Sequence, residues 1–296
     1  MKIFMTGSSG FVGTNIAKYL NPLEYSFVNY ISNSIFPKSI DAYLHFAGKA
    51  HDVKKLDSFE DYYKVNTEFS KKVYDAFISS EAKVFITLSS VKAVRDEIDC
   101  ELSEEIIPNP ITHYGKSKLL AETYIFSKPI PSGKRVYILR PCMIHGPGNK
   151  GNLNILYNFI SKGLPWPLGS FENKRSYLSI QNLCFVIKEL LNRHDIASGI
   201  YNVSDDQPLS TNHIIKLIAS SRNTPPLIIN FSKPVIFIFA KIGDFIKLPL
   251  NTDRLQKLTQ SYIVNNNKIK KAIGKELPID SSEGLINTFK SFSKNA

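Results

Sequence analysis

A chain of 296 residues with 43% hydrophobic and 11% aromatic residues can build one large or two modest domains around a packed core, which excludes a disordered protein. Its net charge of +11 points to anionic company, but Lys and Arg are scattered rather than run together or interleaved with aromatics, so a phosphate-bearing small molecule explains the charge more simply than nucleic acid. Cys100, Cys142 and Cys184 are widely spaced and fit a reducing cytoplasm, the six histidines show no metal-ligand spacing, and no apolar run reaches the roughly 20 residues of a membrane span.

The first thirteen residues organise the rest. The apolar run Lys2-Ile3-Phe4-Met5 breaks at Thr6-Gly7, and glycines recur at Gly7, Gly10 and Gly13. Phe11, Val12, Ile16 and Leu20 then repeat at helical spacing, which predicts strand, glycine turn and helix. Gly7 permits a sharp turn, Gly10 admits a pyrophosphate close to the backbone, and Gly13 lets helix and strand pack closely. The free N–H groups of the helix start would hold the phosphates. The apolar run is too short for a signal peptide. A second strand is expected over Ser26 to Ile31. The region around its end, Asn29 to Ser34, offers neither a carboxylate for a ribose 2′-hydroxyl nor an arginine for a 2′-phosphate, which leaves NAD and NADP both open. The link to the next strand is too short for a full helix.

The third strand, Ala42 to Phe46, ends in Ala47-Gly48, small residues that leave room for a ligand. A helix follows from Ser58 to Ser79, opened by a capping box of Ser58 and Asp61. Asn66 lies beside its buried stripe, where a polar side chain needs a partner. The fourth strand, Lys83 to Leu88, runs into Ser89-Ser90, placed where open α/β sheets bind ligands. Tyr114 and Lys118 stand four apart at the start of a helix, hence on one face. A free tyrosine, with a pKa of about 10, is a poor base near neutrality. A neighbouring ammonium is expected to lower that value, and a serine hydroxyl can hold the reacting oxygen.

A strand over Arg135 to Leu139 leads through Arg140-Pro141 to His145-Gly146-Pro147-Gly148. Helices are expected over Asn152 to Lys162, Gln181 to Arg193 and Thr211 to Ser221. Strands Ser176 to Ile180 and Gly199 to Val203 are expected to return the chain to the sheet. Arg175 could bind a diphosphate bidentately. The apolar stretch Pro234 to Leu250, broken by Lys241, Asp244 and Lys247, reads as an amphipathic helix whose expected role is core or lid packing, with membrane-surface contact as the lesser option. Beyond it the chain is helical and loop-like.

Taken together, Thr6 to Gly13, His45 to Gly48, Asn66, Ser89-Ser90, Tyr114-x-x-x-Lys118, Arg140-Pro141 and His145 to Gly148 resemble the extended short-chain dehydrogenases/reductases of the nucleotide-sugar epimerase/dehydratase branch. The resemblance implies an α/β fold, a Rossmann-type doubly wound parallel sheet with a smaller, mostly helical substrate domain. It divides the chain into a dinucleotide-binding unit of 1–145 and 176–204 and a nucleotide-sugar-binding unit of 146–175 and 205–296. It implies a catalytic triad of Ser90, Tyr114 and Lys118. NAD or NADP would be held by Gly7, Ser9, Gly10, Phe11, Val12, Gly13, Ala47, Gly48, Asn66, Tyr114 and Lys118. A UDP-sugar would be held by Ser90, Asn152 and Arg175, in a homodimer. Sugar 4,6-dehydratases carry Asp-Glu after the catalytic hydroxyl. Val91-Lys92 stands there, which argues against dehydration and for a 4-epimerase or 4-keto reductase of surface polysaccharide synthesis. His145 replaces the family's usual tyrosine. The alternative is a non-catalytic dinucleotide-binding regulator or scaffold on the same fold.

Overall fold

The computed structural model describes residues 1–32, 34–49, 58–149, 151–246 and 251–293. In β1 (Lys2–Thr6) every residue after Lys2 is buried, so both faces of the strand must be covered. Alternation decides which residue goes where. Ile3 and Met5 enter one apolar cluster and Phe4 enters the other. The glycine turn leads into α1 (Phe11–Tyr19), followed by β2 (Ser26–Asn29) and β3 (Ala42–His45). α2 (Phe59–Tyr62) runs through a π-helical stretch, Tyr63–Glu68, into α3 (Phe69–Ile78). Ser58 and Asp61 form the expected capping box. Then come β4 (Val84–Leu88), a single 3₁₀ turn at Val91–Ala93, β5 (Glu101–Leu102), α4 (His113–Ser127), β6 (Arg135–Pro141) and β7 (Met143–His145). The remainder is α5 (Asn152–Ser161), β8 (Tyr177–Ser179), α6 (Ile180–Asn192), β9 (Gly199–Val203), α7 (Thr211–Ser221), α8 (Lys233–Ile246), α9 (Thr252–Thr259), β10 (Ile263–Val264), α10 (Asn267–Ile273) and α11 (Ser281–Ser293).

Among the described residues the main sheet has six strands in the order β2-β1-β3-β4-β6-β9. All pairings are parallel, with Met5 beside Leu44, Leu44 beside Ile86, Ile86 beside Tyr137 and Leu139 beside Tyr201. The chain steps outward from β1 to β2, then returns across β1 to β3. The switch point therefore lies between the ends of β1 and β3, the crevice where doubly wound sheets take their ligands. α1 and α6 cover one face of this Rossmann-type sheet, and α3 and α4 cover the other. Two further apolar clusters lie outside the sheet. One joins α5, α7 and α11; the other joins Trp166, Leu168 and Phe171 to α7, α8 and α9.

One expectation needs correction. The strand at 176–180 does not return to the main sheet; β8 pairs with β7 in a separate two-stranded ribbon, and β9 alone closes the sheet edge. The apolar helix at 234–250 packs on the core by one line only. Only Ile236, Ala240 and Gly243 of α8 are buried, and the large apolar residues around them face outward. Residues 247–250 of that stretch lie outside the described residues.

Candidate active site

The glycine turn is built as its spacing requires. Gly7 adopts a left-handed φ of 72°, and a Cβ there would lie 2.6 Å from the backbone nitrogen of Ala47. The end of β1 therefore touches the end of β3 directly. The Gly10 N–H donates to the Gly7 carbonyl at 3.0 Å, and Gly10 caps α1 with no side-chain hydrogen bond, leaving the amides of the first turn for an anion. Ser9 is exposed at the lip of the turn, and Phe11 and Val12 pack against the core behind it. The Phe11 ring reaches Gly146, so the end of β7 closes on the same turn.

Gly13→Ala tests this turn. A Cβ at Gly13 would sit 2.3 Å from the Gly7 carbonyl oxygen and 2.7 Å from the Ser8 Cα, both backbone atoms that cannot swing aside. The helix must lift or the turn must open. A thermal melt should fall by about 5 °C, and titration should show dinucleotide binding about tenfold weaker. An unchanged melt and affinity would show that the turn is not tight.

The strand ends beside the turn carry a hydrogen-bonded chain. Thr6 Oγ1 meets His45 Nδ1 at 2.7 Å, and His45 Nε2 meets Ser70 Oγ at 2.7 Å. Burial, helped by the charge of Lys118, pushes His45 down to about 3, so the ring is neutral and structural. Ala47 and Gly48 follow. A Cβ at Gly48 would come 3.0 Å from Lys118 Nζ and 3.2 Å from Asn66 Oδ1, which brings three of the expected residues to one point. Asn66, in the π-helical stretch, accepts from the Lys49 N–H at 2.8 Å and donates to the Lys49 carbonyl and to Ser117 Oγ, each at 3.0 Å. It thereby ties the loop after β3 to α4.

Ser90 stands at the carboxyl end of β4, its Oγ accepting from the Lys92 N–H at 3.2 Å, close enough to the Tyr114 phenol to favour its ionised form. Thr112 caps α4 by accepting from the Gly115 N–H, which fixes where Tyr114 projects. Gly115 is required here, since a Cβ would lie 2.3 Å from the Lys92 carbonyl. The Tyr114 ring meets the Tyr62 ring edge-on at 6.1 Å. Lys118 is buried, and its Nζ donates to the Leu88 carbonyl at 2.9 Å. Burial lowers it to about 8, with Glu122 one turn along pulling the other way.

One expectation fails here. Spacing alone suggested that the Lys118 ammonium lowers the tyrosine. Burial instead pushes the Tyr114 phenol above its ordinary value, opposed by the nearby Ser90 hydroxyl. The ammonium is turned to the end of β4 and to Gly48, and the half-buried phenol takes its shift from desolvation.

The two substrate residues fare differently. The half-buried Arg175 is held by backbone pairing to Leu209 and donates to the Lys257 carbonyl on α9. It lies within electrostatic reach of Lys92, two residues past Ser90. Asn152 is exposed at the first residue of α5, and no described hydrogen bond ties it to Ser90, Tyr114 or Arg175. His145 does not occupy the site. It is fully buried, with Nδ1 bonded to Thr288 and Nε2 3.6 Å from Asp205.

Ser89 lies at the strand end where it was expected, and one feature beside it escaped the sequence reading. The hydroxyl of Ser89 is buried with no hydrogen-bond partner among the described residues, in a small crevice it shares with Lys118 and Glu122. Glu122 and Arg140 form a buried pair with contacts of 3.0, 3.2 and 2.5 Å, directly behind Lys118. The i, i+4 spacing of Lys118 and Glu122 was the available signal. Uncapped amides at α1, glycines at both strand ends and an unpartnered hydroxyl beside a buried lysine fit a dinucleotide laid across the switch point.

A model of the NAD dependent epimerase/dehydratase family matches residues 3–204. The UDP-glucose 4-epimerase of Vibrio cholerae is 30% identical over 318 aligned residues, covering 98% of this chain and 95% of that one. The GDP-6-deoxy-D-mannose reductase of Pseudomonas aeruginosa is 27% identical over 241 residues, covering 74% and 79%. The structure of RMD from Pseudomonas aeruginosa, solved with NADPH, superposes with a TM-score of 0.75 at 20% identity, covering 99% of each chain. This chain's cofactor is the nicotinamide dinucleotide of the family whose model it matches, and the chain belongs to the NAD dependent epimerase/dehydratase family.

Proposed function

We propose that this protein moves hydride at C4 of a UDP-linked hexose, as a 4-epimerase serving surface polysaccharide synthesis. The observation that carries the reading is Ser90 beside Tyr114 at the carboxyl end of β4, with the Lys118 ammonium on the Leu88 carbonyl and Gly48 next to it. The UDP-sugar specificity is supported by the Vibrio cholerae relative. A bound nicotinamide supplies the acceptor, and then the donor, of hydride. Tyr114, in its phenolate form, takes the proton of the C4 hydroxyl and later returns it, Ser90 holds the same oxygen, and Lys118 holds the nicotinamide ribose. Arg175 neutralises the diphosphate, with Asn152 as a second contact. We assign dinucleotide binding to 1–145 and 176–204, and substrate binding to 146–175 and 205–296, which supplies most of the two apolar clusters beyond the sheet. Val91-Lys92 provides no carboxylate for water elimination, so dehydration is not part of the reading.

A 4-keto reductase is the second reading. The absence of a carboxylate at the end of β2 and the Pseudomonas aeruginosa reductase favour it. Mass spectrometry of the dinucleotide released from purified protein, followed by a nucleotide-sugar panel, tests both. Retained NAD with a C4-epimerised UDP-sugar is the expected result. Stoichiometric NADPH consumption with a 4-keto sugar establishes the reductase. No dinucleotide and no turnover of any sugar nucleotide would end both readings.

A further inference from the structure

α8 is the most apolar exposed surface among the described residues. Its inward line is Ile236, Ala240 and Gly243, packed against the cluster around Trp166 and Phe171. The rest of the helix should be polar if it faced only water. Instead Phe239 is 56% exposed, Ile238 59% and Phe245 90%, and Phe237 and Ile242 are exposed too. The segment leading into α8 adds to this surface. Its backbone pairs with 166–169, with the Ile229 N–H donating to the Trp166 carbonyl at 2.8 Å and the Gly169 N–H to the Ile229 carbonyl at 3.1 Å. That pairing leaves Phe231 45% exposed at its end. Large exposed apolar patches mark sites of contact with something other than water.

The charges on α8 say what that something is. Its one carboxylate, Asp244, is engaged by Thr252, accepting from the backbone N–H at 3.1 Å and from the hydroxyl at 2.9 Å. Lys233, its Nζ 5.8 Å from the Phe171 ring centre, and Lys241 are exposed on the same helix. An apolar face bearing lysines, on a chain of net charge +11, complements an anionic surface and repels a second copy of itself. At 14 residues the helix is about 21 Å long, too short for the roughly 30 Å hydrocarbon core, and no helix among the described residues is long and apolar enough to cross a membrane. The geometry suits a helix lying in the interface, with its Phe and Ile side chains among the acyl chains and its lysines at the headgroups.

We propose that α8 and the segment 227–231 dock this protein on the surface of an anionic lipid bilayer. The proposal does not depend on the chemistry proposed above, because it is read without substrate. The test is co-sedimentation of the full chain with vesicles of phosphatidylcholine alone and of phosphatidylcholine with phosphatidylglycerol at 7:3 (about 30% anionic lipid). The protein should pellet with the anionic vesicles, with binding weakened by high salt and about tenfold lower on neutral ones. The combined variant Phe237→Ser, Phe239→Ser, Phe245→Ser should lose about tenfold or more of that binding. A second variant, Phe245→Trp, guards against misfolding. Trp166 is buried, so a blue shift of tryptophan emission on adding anionic vesicles reports insertion of position 245. A protein that stays in the supernatant with both vesicles, binding indifferent to lipid charge, or a triple variant that binds like the parent overturns the proposal. So does light scattering that shows the triple variant dissociating a dimer while the parent ignores vesicles, which would give the face to a second copy.

Discussion

Tyr114→Phe should lower turnover of the UDP-hexose by about 10²- to 10⁴-fold, with the loss falling on kcat. The substitution removes one oxygen. The ring stays against Tyr62, with which it packs edge-on at 6.1 Å, so the pocket keeps its shape. Losing one polar group beside Ser90 costs at most about 1 kcal/mol of stability, a few degrees in a thermal melt, and cannot produce a thousandfold loss of rate. On the proposed reading the dinucleotide phosphates would rest on the amides of α1 rather than on the phenol, so the cofactor should still bind. The raised phenol sharpens the expectation. Burial keeps Tyr114 neutral at physiological pH, hence a proton donor as it stands and a base only once its proton has somewhere to go. If the variant forms product from UDP-sugars as fast as the parent, Tyr114 does no proton transfer, and the non-catalytic reading of the fold takes over.

The legible parts of this chain are those set by local chemistry. Gly7 and Gly13 could be read because no other residue fits the backbone at those points, and the structure finds backbone atoms within 2.6 and 2.3 Å of where their Cβ would be. The Ser58–Asp61 capping box could be read for the same reason, and the Thr211–Ser221 helix matches the expected span. What periodicity cannot say is whether an apolar face is covered. α8 and the inner face of α3 carry similar patterns, yet Val73 and Phe77 are wholly buried under the sheet while Phe245 stands in solvent. Nor can spacing say where a long side chain points. Tyr114 and Lys118 share a helix face, but the Leu88 carbonyl and Gly48 decide where the ammonium goes. The β7–β8 ribbon was missed because three-residue strands carry too little pattern to distinguish one sheet from another.

Behind the lysine, Glu122→Gln should be the most destabilising single change at the site. Glu122 and Arg140 are each 3% exposed, and the guanidinium engages both carboxylate oxygens. Removing the carboxylate leaves an arginine charge in a nearly dry interior, at a cost of about 3 kcal/mol, whereas replacing both partners with apolar residues of similar size should recover most of the loss. A melt that falls by roughly 6–12 °C in Glu122→Gln and recovers in Glu122→Leu/Arg140→Met separates an uncompensated charge from a packing defect. The same substitution reaches the chemistry through Lys118. Glu122 holds that lysine up against a burial effect that has already brought it to about 8. If the ammonium form is the one that binds the nicotinamide ribose, kcat/KM of the parent falls as pH rises through about 8, and in Glu122→Gln the same limb moves to lower pH. The stability linkage runs the opposite way. The folded pKa lies below the unfolded value of about 10.4, so between about 8 and 10.4 the unfolded chain binds more protons and this group's contribution to stability rises with pH while activity falls. A single variant that left the alkaline limb in place, with the melt already lowered, would make Glu122 a structural partner of Arg140 and nothing more.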